Sequence, residues 1–264
     1  MTRPIRIAIN GASGRMGRAL IGLVGLDDRF ELARAMVTAG SPHEGKPVRD
    51  PGTGLRYVSG WDDAKGIDIV VDFSGPAGLA SALDHCEAHG ISLVTGTTGI
   101  EAALEARLAR AAERIAVLRA ANFSLGIAVL TRLLKEAAAA LPDWDLDIVE
   151  AHHGRKEDAP SGTALALGEA AAGARGTTLA DAAVYAREGR PGARKGGTIG
   201  FAVVRGGDIV GEHTAWLMSG GERLELGHRA TDRAIFARGA LEAAKWLTGR
   251  APGAWTIDHV IGGG

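Results

Sequence analysis

The chain has 264 residues, 46% of them hydrophobic, which allows one large domain or two smaller ones around a substantial core. Its 30 Lys and Arg against 31 Asp and Glu give a formal net charge of −1, which argues against a nucleic-acid or polyanion binder with its basic excess. No apolar run reaches the roughly 20 residues needed to span a membrane.

In chain order, IRIAIN (Ile5 to Asn10) is a short apolar run with β-branched residues, a strand signal. The start runs directly into it without a secretory pattern, so no signal segment is expected. GASGRMG follows, with Gly11, Gly14 and Gly17 in a G-x-x-G-x-x-G pattern between that strand and the helical RMGRALIGLVG. In this context glycines allow a tight turn and let backbone N–H groups approach a pyrophosphate. A ligand-free turn is the alternative. Arg15 and Arg18 stand ready for phosphates or are solvated helix residues. FELARAMV reads as a second strand. An NAD site usually has an acid at its end to hold the ribose hydroxyls. Here Val37 and Thr38 stand there, and no acid appears until Glu44. That permits NADPH without requiring it.

IDIVVDF (Ile67 to Phe73) has the continuous apolar centre of a parallel strand buried on both faces. Pro76 to His89 reads as a helix and holds Cys86, the only cysteine. No intrachain disulfide can form, and a reduced, cytoplasmic setting is expected with Cys86 as a packing residue. His85 and His89 have metal-ligand spacing but lack the glutamate of a zinc-protease helix; they read as surface or packing residues, and no metal is expected. ISLVTGTT is a strand, EAALEARLARAAER a helix and IAVLRAANFS a strand. This alternation implies a doubly wound parallel sheet.

After Asn122 the pattern changes. GIAVLTRLLKEAAAAL is a helix ended by Pro142, and DWDLDIVEAHH a strand. Glycine-separated runs from Thr198 to Arg229 predict antiparallel or mixed strands. REGRPGARKGG (Arg187 to Gly197) reads as a mobile surface loop, and DRAIFARGALEAAKWLTG as a final amphipathic helix. The expected fold is α/β: an N-terminal Rossmann-type doubly wound parallel sheet plus a second α+β domain with a mixed sheet. Residues 1–123 and 234–264 would form the dinucleotide-binding domain, and 124–233 the substrate-binding and oligomerisation domain.

EAHHGRKEDAPSGTALALGEA (Glu150 to Ala170) concentrates two imidazoles, an ammonium and a helix start. Histidine, with an unperturbed pKa of about 6.5, suits proton delivery. The Lys156 ammonium favours a carboxylate and developing negative charge. Ser161 fits an N-cap, after which Gly162 and Thr163 offer backbone amides to an anion. On a strand, His152 and His153 would point to opposite faces and hold different roles. Glu157 and Asp158 read as solvated loop acids. The bland alternative is a polar strand end, a solvated lysine and a simple cap.

GASGRMG, VVDFS (Val70 to Ser74), GTTG (Gly96 to Gly99), AANFS (Ala120 to Ser124), EAHHGRKEDAPSGTA and HRATDRAIFARGA (His228 to Ala240) together span almost the whole chain. In kind and order they resemble the 4-hydroxy-tetrahydrodipicolinate (dihydrodipicolinate) reductase family of bacterial lysine and diaminopimelate biosynthesis. The resemblance implies an enzyme that reduces a small dicarboxylate heterocycle, 4-hydroxy-tetrahydrodipicolinate, to tetrahydrodipicolinate with NADPH or NADH. It also implies two hinged domains, a homotetramer in the cytoplasm, and neither nucleic-acid nor membrane partners.

Carried over residue by residue, Gly11, Ala12, Ser13, Gly14, Arg15, Met16 and Gly17 hold the pyrophosphate. Val37 and Thr38 lie at the ribose, where many members carry an acid–arginine pair, so the cofactor preference stays open. Gly96, Thr97 and Thr98, with Ala120, Ala121, Asn122 and Phe123, lie along the nicotinamide. His152 matches the general acid/base and Lys156 the catalytic lysine. His153, Ser161, Gly162 and Thr163 match substrate contacts. Arg233 contacts substrate or braces the loop. Two alternatives remain: another NAD(P)-dependent amino-acid dehydrogenase, such as an aspartate dehydrogenase, or a non-enzymatic nucleotide-sensing Rossmann protein.

Overall fold

The computed structural model describes residues 3–48, 54–62 and 64–262; the outermost residues of the expected dinucleotide-binding domain, 1, 2, 263 and 264, lie outside them. Two compact units divide the chain: Met1–Leu125 with Ala234–Gly264, and Gly126–Arg233. The elements run β1 (Ile5–Asn10), α1 (Arg15–Val24), β2 (Phe30–Met36), β3 (Tyr57–Val58), β4 (Ile69–Asp72), α2 (Pro76–His89), β5 (Ser92–Thr95), α3 (Ala102–Ala111) and β6 (Ala116–Arg119). Then come α4 (Leu125–Ala140), β7 (Asp145–His152), α5 (Gly162–Ala174), α6 (Leu179–Ala182), β8 (Ala183–Val184), β9 (Ile199–Arg205), β10 (Gly211–Ser219) and β11 (Glu222–Ala230). The chain closes with α7 (Ala234–Leu247), β12 (Gly253–Trp255) and α8 (Ile257–Val260).

In the first unit the strands form one seven-stranded sheet, ordered β12-β6-β5-β4-β1-β2-β3, with parallel pairing throughout. Side-chain alternation serves two cores. Ile7 and Ile9 pack with the faces of α1 and α7, whereas Ala8, Val70 and Leu93 pack with α2. Buried Gly17, Leu20, Ile21 and Val24 recur at helical spacing along α1. Helices therefore cover both faces, the Rossmann-type arrangement. The strand expected from IAVLRAANFS ends at Arg119, and AANFS is a connection into α4. β3 and β12, of two and three residues, escaped the sequence reading; β12 extends the sheet beyond β6.

The second unit has a mixed five-stranded sheet, ordered β11-β10-β7-β9-β8. β7 and β8 pair parallel with β9, while β10 is antiparallel to β7 and β11. One face carries Leu146, Ile148, Phe201, Ala215 and Leu217 into a core with Leu130 and Leu134 of α4 and Leu167 of α5. The 187–197 segment is the exposed surface loop that the sequence predicts, anchored through two arginines. The Arg194 guanidinium bonds the Leu146 and Thr198 carbonyls and pairs with Asp145 and Asp147, and Arg187 also pairs with Asp147.

Candidate active site

Strand order in the first unit reverses between β1 and β4, the switch point at which open parallel sheets take ligands. Gly11 leaves β1 with φ +79°, and a Cβ there would sit 2.5 Å from the Phe73 carbonyl oxygen. A Cβ on Gly17 would sit 2.3 Å from the Gly11 carbonyl oxygen. Gly14 is the N-cap of α1; it brings no side-chain cap, and no acid stands in the first turn. The positive end of the helix is thus open to an anion. A cavity of about 380 Å³ opens beside it, lined by Gly11, Ser13, Gly14, Val37 and Thr38 together with Ser59 and Trp61. A glycine-built backbone turn, a helix end and a cavity beside them fit a dinucleotide. Among the lining residues there is no Lys or Arg. Glu44 accepts from the Ser59 hydroxyl and the Gly40 N–H, which in that order lower its pKa.

Arg15, Met16, Gly96, Thr97 and Thr98 line a second cavity of about 290 Å³. Thr97, Thr98, Ala120 and Ala121 meet Trp255 of β12 in a third, of about 410 Å³. Ala12 is fully buried with its N–H bonded to the Met36 carbonyl, and Phe123 is buried in the same core. Asn122 accepts the Ser124 N–H. Arg18 turns onto the Ser13 carbonyl at 2.6 Å, a loop brace where a phosphate contact was one of the two expectations. Asp72, which sequence reasoning passed over, is fully buried and accepts from Asn10, Ser74, Thr95 and Thr97. It fastens the ends of β1, β4 and β5, and with them the Thr97 loop. An acid closing an apolar run, as in VVDFS, was its only sequence signal.

In the second unit, β7 alternates Leu146, Ile148, Glu150 and His152 along one face. The first two are core; the last two begin a polar cluster. Glu150 has a fully buried side chain. Its Oε1 accepts from Arg205 at 2.7 Å and from the Ser161 N–H at 3.0 Å; its Oε2 accepts from Arg205 and lies 2.7 Å from His152 Nδ1. Burial opposes ionisation of Glu150, yet Arg205, His152 and the Ser161 amide outweigh it and lower its pKa. An ionised carboxylate only accepts, so His152 Nδ1 is the donor.

His213, on β10 directly opposite Glu150, is buried with Nε2 3.0 Å from Ser161 Oγ. Burial, then the neighbouring His152, push its pKa down to about 4. Ser161 caps α5, its hydroxyl accepting the Ala164 N–H at 3.2 Å, as the sequence predicts. Gly162 and Thr163 form the first turn of α5.

β7 stops at His152, so the opposite-face argument does not extend to His153. His153 instead takes a hydrogen bond from Arg233 at 2.8 Å. Desolvation, then Arg233, Arg155 and His152, lower its pKa. Lys156 is bonded to both oxygens of Asp158, at 2.8 and 2.9 Å, while Asp158 stays solvated as expected. Sequence reading missed Glu150, Arg205 and His213 as site residues. Glu150 had one local signal, its place two residues before His152 on a strand; the other two join only through the register of β9 and β10.

Residues 5–123 match the family model described as dihydrodipicolinate reductase, N-terminus, and residues 126–261 match the one described as dihydrodipicolinate reductase, C-terminus. A curated 4-hydroxy-tetrahydrodipicolinate reductase of Thiobacillus denitrificans is 48% identical over 263 residues, 98% of each chain. The fold matches a dipicolinate-bound dihydrodipicolinate reductase from Paenisporosarcina sp. TG-14 with TM-score 0.79 and 21% identity, covering 96% of this chain and 97% of that one. Aspartate semialdehyde dehydrogenase II of Vibrio cholerae is more distant, with TM-score 0.55 and 12% identity over 92% of this chain and 98% of that one. Both halves match in order and nearly half the residues are shared with a full-length relative, so the chain belongs to the dihydrodipicolinate reductase family.

Proposed function

We infer that this chain reduces 4-hydroxy-tetrahydrodipicolinate to tetrahydrodipicolinate, a step of the diaminopimelate route to lysine, with His152 as its proton donor. The observation that carries this reading is the 48% identity to a reductase of that name along nearly the entire chain. NADPH or NADH supplies the hydride. Gly11, Ser13, Gly14 and the first-turn amides of α1 hold the pyrophosphate, and the Thr97–Thr98 and Ala120–Ala121 loops flank the nicotinamide. Glu44, anionic beside Ser59 at the first cavity, repels a 2′-phosphate and favours NADH.

The substrate is a small dicarboxylate, in keeping with the dipicolinate carried by the Paenisporosarcina relative. One carboxylate is held by the Gly162–Thr163 amides at the positive end of α5, and Lys156, released from Asp158, pairs with the same anion. Once the C4 hydroxyl of the substrate has left as water, hydride goes to C4, and His152, with Nδ1 bonded to Glu150, delivers a proton from Nε2 to the adjoining carbon. The outer face of the five-stranded sheet, bearing Trp216 and Met218, is covered by other copies of the chain in a homotetramer. The single cysteine and the need for reduced nicotinamide suit the cytoplasm. Among the described residues no helix is long and apolar enough to cross a membrane. The family match gives no support to an aspartate dehydrogenase or a nucleotide sensor.

The test is nicotinamide oxidation coupled to the synthase that condenses pyruvate with aspartate semialdehyde. Synthase-dependent turnover is expected with both cofactors, with a higher kcat/KM for NADH. His152→Gln is expected to lose about 10²–10⁴ in kcat, the range of a general acid, while still binding cofactor. Absence of turnover in a folded, cofactor-binding protein would overturn the reading.

A further inference from the structure

We propose that Glu150 and Arg205 are positioning residues, which fix the tautomer and aim of His152 and hold it at a set spacing from the amide end of α5. This rests on the reading of His152 as the proton donor. A carboxylate with a fully buried side chain is costly, and a buried ion pair is often no more stabilising than apolar residues of similar volume. Core stability is therefore a weak reason for this pair.

Its geometry gives a stronger one. Arg205 stands directly across from His152 on β9, two positions beyond Val203, the partner of Glu150. Its guanidinium grips both carboxylate oxygens at 2.7 Å and also donates to the Asp158 carbonyl at 2.7 Å. Held by this fork, Glu150 turns one oxygen to His152 Nδ1 and the other to the Ser161 N–H. One carboxylate thus ties the proton donor to the start of α5, where the substrate carboxylate binds.

Two neighbours complete the setting. A Cβ on Gly211 would lie 3.1 Å from His152 Nε2, so the glycine leaves that edge of the ring uncrowded. The His213 ring stands edge-on to His152, with centroids 5.2 Å apart. With Nδ1 committed to donating, Nε2 is the nitrogen that gains and gives the exchangeable proton. The arrangement matches the general rule that an acid behind an imidazole selects its tautomer and orientation.

Glu150→Gln separates positioning from packing. The side chain keeps its size, but only one of its two polar atoms can accept. Either position costs one Arg205 bond, but at Oε1 the NH₂ would also oppose the Ser161 N–H, which can only donate, so it takes the Oε2 position facing His152 and favours the opposite tautomer, with the proton on Nε2. Three measurements on the folded variant are decisive: kcat and KM, cofactor binding by fluorescence titration, and long-range ¹⁵N–¹H spectra of ¹⁵N-histidine enzyme, with the His152 signals assigned through His152→Gln. We expect kcat to fall about 100-fold, within the span of general acid catalysis, with little change in cofactor affinity and with the His152 proton moved from Nδ1 to Nε2. Unchanged kcat, or a His152 that keeps its Nδ1–H form, overturns the proposal.

Should Glu150→Gln fail to fold, Arg205→Lys keeps the cation and removes the fork. It is expected to lose about tenfold in kcat, a part of the same general-acid contribution; full kcat there would overturn the role of Arg205. An active His152→Gln would refute the proton-donor reading itself. An inactive His152→Gln beside an unimpaired Glu150→Gln would refute the positioning role alone.

Discussion

His213 shows how one side chain couples the site to acidity. The residue is 4% exposed, and its pKa is pushed down to about 4 by burial, whereas an unfolded histidine titrates near 6.5. Between those values the unfolded chain binds a proton that the folded chain refuses, so stability falls as pH falls. The loss begins below about pH 6.5 and is complete below about pH 4, amounting to about 3 kcal/mol. Glu150 works in the same direction further down, since a carboxyl with a lowered folded pKa loses its stabilisation on acidification. His213→Gln should therefore be less stable than the parent at about pH 7, by roughly 1–3 kcal/mol for the disturbed Ser161 partner, but should lose less between about pH 6.5 and pH 4.5. Urea unfolding midpoints at the two ends of that range check this; a parallel decline in both proteins would refute it. None of this was visible in the sequence. EHTAW reads as a strand, but the burial of His213 against Glu150 depends on the pairing of β10 with β7.

Among elements, α1 carries the clearest division of labour between two of its glycines. A Cβ on Gly17 meets the Gly11 carbonyl oxygen at 2.3 Å and Ala12 Cα at 2.5 Å, backbone atoms that can yield only by moving the turn between β1 and α1. A Cβ on Gly22, one and a half turns along, meets nothing within 4 Å. Gly17→Ala is expected to weaken NADH binding at least tenfold and to cost about 1–3 kcal/mol, as overpacking does. Gly22→Ala should leave binding alone and add about 0.5–1 kcal/mol through helix propensity. Cofactor fluorescence titration and thermal unfolding read both; equal effects from the two substitutions would count against a turn built on Gly17.

The sequence displayed this element well, because GASGRMG sits between a β-branched run and buried positions at helical spacing. The apolar centre of IDIVVDF was equally plain. β3 and β12 were not: two or three residues carry no periodicity, and Trp255 reaches the third cavity only because β12 joins the sheet edge beside β6. In the second unit, Ser161 announced its cap, whereas the Lys156–Asp158 pair and the bracing of His153 by Arg233 depend on how a loop folds back.

At the scale of the molecule, the first unit is interrupted: it runs to Leu125 and resumes at Ala234. Residues 1–125 alone leave its core unfinished, since Ala237, Ala240, Leu241, Ala244 and Leu247 of α7 share one buried cluster with Ile7, Ile9 and Leu20. Leu247→Ala, at a fully buried position, is expected to cost about 2–5 kcal/mol. On urea titration the loss should appear in the cofactor-binding signal as well as in global unfolding; cofactor binding that outlasts α7 would refute this dependence. The same interruption sets an order of events during translation. Every residue of the Gly126–Arg233 unit leaves the ribosome ahead of α7 and β12, so the second unit can close its core while the nucleotide-binding unit still lacks its last helix and edge strand. The nascent chain thus becomes competent to hold cofactor only after α7 and β12 have followed the second unit out.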